Sequence, residues 1–163
     1  MQLSRLLSLI SLIAAASSTA HAQGGVSSTI FLTCDVKREF SSPEKKTVSD
    51  VDHFMINLSL RKVYMFSKLK KMYEDKCQNS ALNTAVCEVS SGRFMFENHY
   101  QNNYIKDDGR NGFTKMDQYY TIDREDGEIA GFDEGNFDGV VFSFIAGGTC
   151  RVGRDQRSSN KKF

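Results

Sequence analysis

The chain has 163 residues, with 21 Lys and Arg against 20 Asp and Glu, four Cys, twelve Phe, one Pro and no Trp. The near-neutral balance gives no electrostatic reason to expect a nucleic-acid partner. The absence of Trp argues against a sugar-stacking platform, and the length suits one domain with its own core.

The first 22 residues read as an export signal. Arg5 is the only charge before Asp35, residues 6–16 are apolar apart from Ser8 and Ser11, and Ala20-His21-Ala22 follows. This is the order of a secretory leader, with small residues where signal peptidase cuts, so cleavage is expected between Ala22 and Gln23. The apolar run is shorter than the roughly 20 residues of a membrane helix, and no later segment approaches that length, so no membrane span is expected. The expected location is periplasmic or secreted. Losing Arg5 with the leader leaves twenty basic against twenty acidic residues. The expected organisation is a signal peptide over 1–22, one β domain over 23–152, and a flexible basic tail over 153–163.

In the mature chain, residues 29–36 suit a buried strand. Ser42-Pro43-Glu44 fits the cap, first position and first-turn acid of a short helical turn. Residues 54–60 give the clearest strand signal, with Phe54, Ile56, Leu58 and Leu60 alternating against Met55, Asn57 and Ser59. Arg61-Lys62 then leads tightly into a second strand over 63–66. Leu69, Met72 and Tyr73 are spaced for a short helix over 68–76. Strands are expected over 85–89 and 93–100, the second with Phe94, Phe96 and Tyr100 on one face.

Residues 101–116 are rich in Asn, Asp and Gly and read as a long loop. A strand over 118–123, with Tyr120 and Ile122 inward, precedes a type I′ turn at Asp126-Gly127 and a strand over 128–132. Residues 133–139 read as a turn region. A strand over 140–146 carries Val140, Phe142 and Phe144 inward, and a Gly147-Gly148 bulge precedes 149–152. The sum is all-β: about eight short antiparallel strands in a meander that closes as a small barrel or sandwich.

Four Cys in an exported chain imply two disulfides. Cys77 and Cys87 flank a turn-rich loop, while Cys34 and Cys150 lie in the first and last apolar runs. The expected bridges are therefore Cys77–Cys87 and Cys34–Cys150, the second stapling the first strand to the last. No C-x-x-C or H-x-x-x-H is present, so zinc is not expected. Acidic turns near Asp123 and Asp133 lack the EF-hand glycine at position six, where Glu128 and Asp138 stand, so calcium is not expected. No metal, no cofactor and no catalytic residue is assigned. His99 beside Glu97 is the one candidate general base, without a G-x-S-x-G serine or a free thiol to serve, and His53 reads as a strand residue.

The hairpin Ile122-Asp123-Arg124-Glu125-Asp126-Gly127 followed by Gly148-Thr149-Cys150 resembles the ending of small exported bacterial proteins of uncharacterised function, over about the last forty residues. That resemblance implies the Cys34–Cys150 staple and no activity. Ser91-Gly92-Arg93-Phe94 is similar to the Ser-Gly-x-x-Tyr loop of periplasmic inhibitors of c-type lysozyme. Met95 stands where that loop has Tyr, and Gly148 stands where the terminal Tyr-x-Cys has its Tyr. Three functions follow in order: an exported non-enzymatic domain that binds a protein partner or envelope component, inhibitor-like in its sharpest form; a small-ligand carrier using the barrel interior; and a hydrolase using His99 and Glu97.

Overall fold

The computed structural model describes residues 28–157. The expected leader, its Ala22–Gln23 cut and the tail residues 158–163 lie outside the described residues. The described residues are all-β, with nine strands among them: β1 (Thr29–Ser42), β2 (Lys46–Asn57), β3 (Lys62–Ser67), β4 (Met72–Asp75), β5 (Asn83–Val89), β6 (Arg93–Ile105), β7 (Asn111–Asp123), β8 (Glu128–Phe137) and β9 (Val140–Val152). They form one sheet in the order β4-β3-β2-β1-β9-β8-β7-β6-β5, every neighbouring pair antiparallel. The sheet curls into a half-barrel. Phe54 of β2 and Phe96 of β6 meet across the interior with ring centroids 6.5 Å apart, although four strands separate them along the sheet.

Alternation decides which side chains enter the core. Leu32, Cys34 and Val36 of β1, Phe54 and Ile56 of β2, and Phe94 and Phe96 of β6 are buried with Tyr120, Ile122 and Ile129. Tyr120 stacks on Phe96 at 5.3 Å. Gly131 leaves its ring space, since a Cβ there would lie 2.6 Å from a Tyr120 ring carbon. Burying rings of this size is worth roughly 2–3 kcal/mol each.

Both expected disulfides form. Cys34 and Cys150 are register partners on β1 and β9, with Cα atoms 3.9 Å apart. Cys77–Cys87 ties the end of β4 to β5, the two edges of the sheet, over a Cα separation of 5.5 Å.

Several local expectations are corrected. Residues 68–76 form no helix: Leu69 is 91% exposed on a turn, and Met72–Asp75 pairs with β3. Ser42-Pro43-Glu44 forms no helical turn but the tip of the β1–β2 hairpin, with a cis Ser42–Pro43 bond, because both strands extend to within three residues of each other. Residues 101–116 are mostly strand, not loop; β6 and β7 pair as far as Ile105 and Asn111. Residues 133–137 continue β8, with Asp133 inward. Leu60 and Val140 point out, at 62% and 61% exposed, because each sits at a hairpin end beyond the core.

The β7–β8 connection falls where expected, but only Gly127 there has positive φ, so the four-residue loop is not a type I′ turn. Gly147-Gly148 makes no bulge; β9 pairs continuously with β1 there, and the register shift lies at Phe40/Ser42. A Cβ on Gly148 would meet the Asp35 carbonyl oxygen at 2.0 Å, so the glycine lets the two backbones approach.

The start of the expected flexible tail is held against the sheet. Gly153 N–H donates to the Phe31 carbonyl at 2.8 Å, and the Arg157 guanidinium lies 5.5 Å from the Tyr73 ring centre. Tyr73 also packs on Phe31 and Phe66, at 5.9 and 5.2 Å, which makes a small second cluster on the outer face.

Candidate functional site

The interior changes character along its length. One end of β1, β2 and β8 is apolar within, at Leu32, Cys34, Val36, Phe54, Ile56 and Ile129. Further along the same strands, and at the seam between β4 and β5, the interior becomes polar. Asp52 is 5% exposed and accepts a bond from Arg38 Nη2 at 2.5 Å, while Arg38 Nη1 reaches Asp50 at 3.1 Å. Burial alone would lower the Arg38 guanidinium, but the hydrogen bond and charge of Asp52 outweigh it and hold the group above its ordinary value. Tyr120 OH donates to Asp133 Oδ2 at 3.1 Å. Burial pushes both upward, with the Asp133 charge adding to the shift of the phenol. Asp133 Oδ1 has no hydrogen-bond partner among the described residues.

At the seam itself lies a cavity of about 770 Å³. Its near wall is Met72 and Glu74 of β4 with Lys76 just beyond that strand, and its far wall supplies Asn98 and Tyr100 of β6 with Met116 and Gln118 of β7. Lys76 extends over the floor, its Nζ 5.9 Å from the centre of the Phe96 ring and 3.3 Å from Gln118 Oε1. Burial draws the Lys76 ammonium below the usual lysine range. Asn98 is 5% exposed; its Oδ1 accepts from Asn83 Nδ2 at 3.0 Å, and its Nδ2 has no partner among the described residues. An unpaired buried amide costs about 1–3 kcal/mol, so this donor marks a place where an acceptor is missing. A volume in this range, with apolar surface from Met72, Met116 and the tyrosines set among amide and charged side chains, fits a small-molecule site.

The candidate His99 is elsewhere, on the outer face. Its Nδ1 bonds Asp117 at 2.8 Å and its Nε2 bonds Glu97 at 2.9 Å. An imidazole donates to two carboxylates at once only in its protonated form, with a proton on each nitrogen. The Asp117 hydrogen bond, against the opposing effect of burial and with the Glu97 hydrogen bond added, holds it above its ordinary value. Both ring nitrogens are therefore engaged by carboxylates, and Thr84 is the register partner of His99 on β5. His53 accepts or donates at Thr33 Oγ1 over 3.2 Å and faces the edge of Phe66. Among the described residues no group of three His, Cys, Asp and Glu is placed to hold a metal ion, and no helix is long and apolar enough to cross a membrane.

Sequence reasoning passed over the seam residues. Asn98 shares the phase of Phe94, Phe96 and Tyr100, and Gln118 shares that of Tyr120 and Ile122, so strict alternation already places two amides inward. Lys76 carries no such signal, because β4 is too short to show a period. No family model matches the chain, and neither a curated protein nor a solved structure matches it.

Proposed function

We propose that this chain is an exported binding domain, periplasmic or secreted, that carries a small ligand in the seam of its half-barrel. The observation behind this reading is the cavity of about 770 Å³ that Asn98 helps to line, the buried Nδ2 of that residue having no hydrogen-bond partner among the described residues. Two disulfides fit a compartment where thiols oxidise. The engagement of both His99 nitrogens argues against a hydrolase built on that residue.

The test is a probe that fluoresces only out of water. N-phenyl-1-naphthylamine should brighten with the purified chain, and Met116→Trp, which adds bulk inside the cavity, should weaken that binding. Equal brightening in the variant, or none in the parent, removes the reading.

A second reading, a protein or envelope partner, has one observation of its own. Tyr119, Phe132 and Ile145 are register partners across β7, β8 and β9 on the outer face, with Phe132 and Ile145 exposed. A face of this kind suits a docking partner. The likeness to inhibitors of c-type lysozyme belongs here. Phe132→Lys should abolish inhibition if it exists, and undiminished lysis by lysozyme mixed with the unaltered chain eliminates the inhibitor.

A further inference from the structure

The charges around the seam are unevenly matched. Lys70 Nζ pairs with Glu74 at 2.8 Å, and Lys62 Nζ pairs with Asp75 at 2.6 Å. These pairs occupy both carboxylates of β4. Lys76, deeper than either lysine, has Glu74 only at 4.0 Å, and its hydrogen bond goes to the neutral oxygen of Gln118. Asp133 adds a favourable charge, but it is bonded to Tyr120 and does not line the cavity.

The second donor is a neighbour of the first. Gln118, which holds Lys76, is the register partner of Asn98. Paired residues on one face of an antiparallel ladder stand about 5 Å apart. A largely buried cation and a buried amide N–H therefore both neighbour Gln118 in the cavity lining, and an acceptor that would satisfy both is an anion. Around them the walls are Tyr64, Tyr100, Met72 and Met116, which suit an apolar body.

From this juxtaposition we infer that the seam takes a small amphipathic organic anion, its acidic oxygens between Lys76 Nζ and Asn98 Nδ2 and its apolar body against Tyr100, Met72 and Met116. The inference rests on the ligand-carrier reading and adds the ligand's class. The rim pairs Lys70–Glu74 and Lys62–Asp75 are neutral as units, so the selective charge is the deep one. A carboxylate, a sulfonate or a phosphate monoester shares the required chemistry.

Two probes with the same aromatic body separate the class from the site. 1-Anilinonaphthalene-8-sulfonate carries the anion, and N-phenyl-1-naphthylamine lacks it. At pH 7 the sulfonate should bind the full chain about tenfold more tightly than the amine. Lys76→Met keeps an apolar stem over Phe96 and should erase that preference; Lys76→Arg should keep it. Equal affinity of the two probes for the parent overturns the anion class and leaves the carrier reading standing. Binding of neither overturns both. A preference that survives Lys76→Met in a folded variant, checked by its circular dichroism melt, also overturns the assignment. The parent's own ratio decides the question if Lys76→Met does not fold.

Discussion

The wall made by β2, β1, β9 and β8 and the seam between β4 and β5 are built from the same kind of strand, yet they do opposite things. In the wall every strand is paired on both sides, apolar side chains fill much of the inner face around the buried Arg38–Asp52 pair, and Cys34 of the Cys34–Cys150 bridge is fully enclosed. At the seam the sheet stops. β4 has four residues and β5 seven, and the interior behind them is lined by Lys76, Asn98 and Gln118. The difference separates stability from access. Short, charged edges also resist pairing with another chain. A continuous sheet cannot admit a ligand, and an open edge cannot supply a core, so the half-barrel keeps both by leaving one gap and tying it with Cys77–Cys87.

The wall disulfide should show the largest effect. Cys34→Ala with Cys150→Ala frees a loop whose ends are 116 residues apart, which on chain-entropy grounds costs roughly 5 kcal/mol. Urea unfolding should show that loss while, in whatever fraction stays folded, the seam probes bind as before. Loss of probe binding by the folded fraction would show that wall and seam are not separable.

Cys77→Ala with Cys87→Ala should behave in the opposite way. The closed loop spans only 10 residues, so the same reasoning gives about 3 kcal/mol. Because this bridge joins the two edges, its removal should weaken probe binding more than the wall pair does. Titration of N-phenyl-1-naphthylamine into both double variants measures this. Unchanged affinity would mean that the edges hold their spacing without the clasp.

The wall was the legible half of the molecule. Phe54 and Ile56, or Phe94 and Phe96, alternate because one side of each strand is buried and the other is wet, and that contrast is what a period of two records. The two disulfides followed from the positions of Cys34 and Cys150 in the outermost apolar runs. Legibility ended where burial ended. Gln101, Asn103 and Ile105 are strand residues exposed on their hairpin arm, so nothing apolar marks their phase. Leu69, Met72 and Tyr73 mimicked a helix because Tyr73 is buried by an outer cluster involving Phe31, which is distant in sequence. Lys76 and Asn98 could not be joined beforehand, since only the curl of the whole sheet places β4 opposite β6.

Two glycines sharpen the same contrast at smaller magnitude. Gly148 lies in the wall, where an added methyl would strike the Asp35 backbone, while Gly92, at the β5–β6 turn, has nothing within 4 Å of that methyl and ordinary φ. Gly148→Ala should cost about 2 kcal/mol or more, whereas Gly92→Ala should stay within roughly 0.5 kcal/mol of the parent. Thermal melts of the two variants check this. Similar destabilisation by both would mean that the wall backbone gives way as easily as a turn.

The smallest expected effect concerns the two histidines, one on the outer face of each region. His53, on β2 of the wall, is held below its ordinary value of 6.5, first by burial and then by Lys68. His99, on β6 of the seam side, is held above 6.5 by its carboxylates, Asp117 first. The signs follow from which state takes up the proton first. For His53 the unfolded chain does so as pH falls through 6.5, so its contribution erodes toward acid. For His99 the folded chain does so at higher pH; its stabilisation is complete below 6.5 and fades as pH rises through the raised folded value.

The His99 side chain is half exposed, so water screens the pair and its contribution should stay below about 1 kcal/mol. Melts at pH 5.5 and pH 9 should show His99→Gln losing stability in acid alone. His53→Gln should lessen the loss that the parent suffers on going from pH 8 to pH 5.5. The two substitutions must therefore tilt the stability–pH curve in opposite directions; a tilt in the same direction would mean that the carboxylates around His99 do not hold its proton in the folded chain.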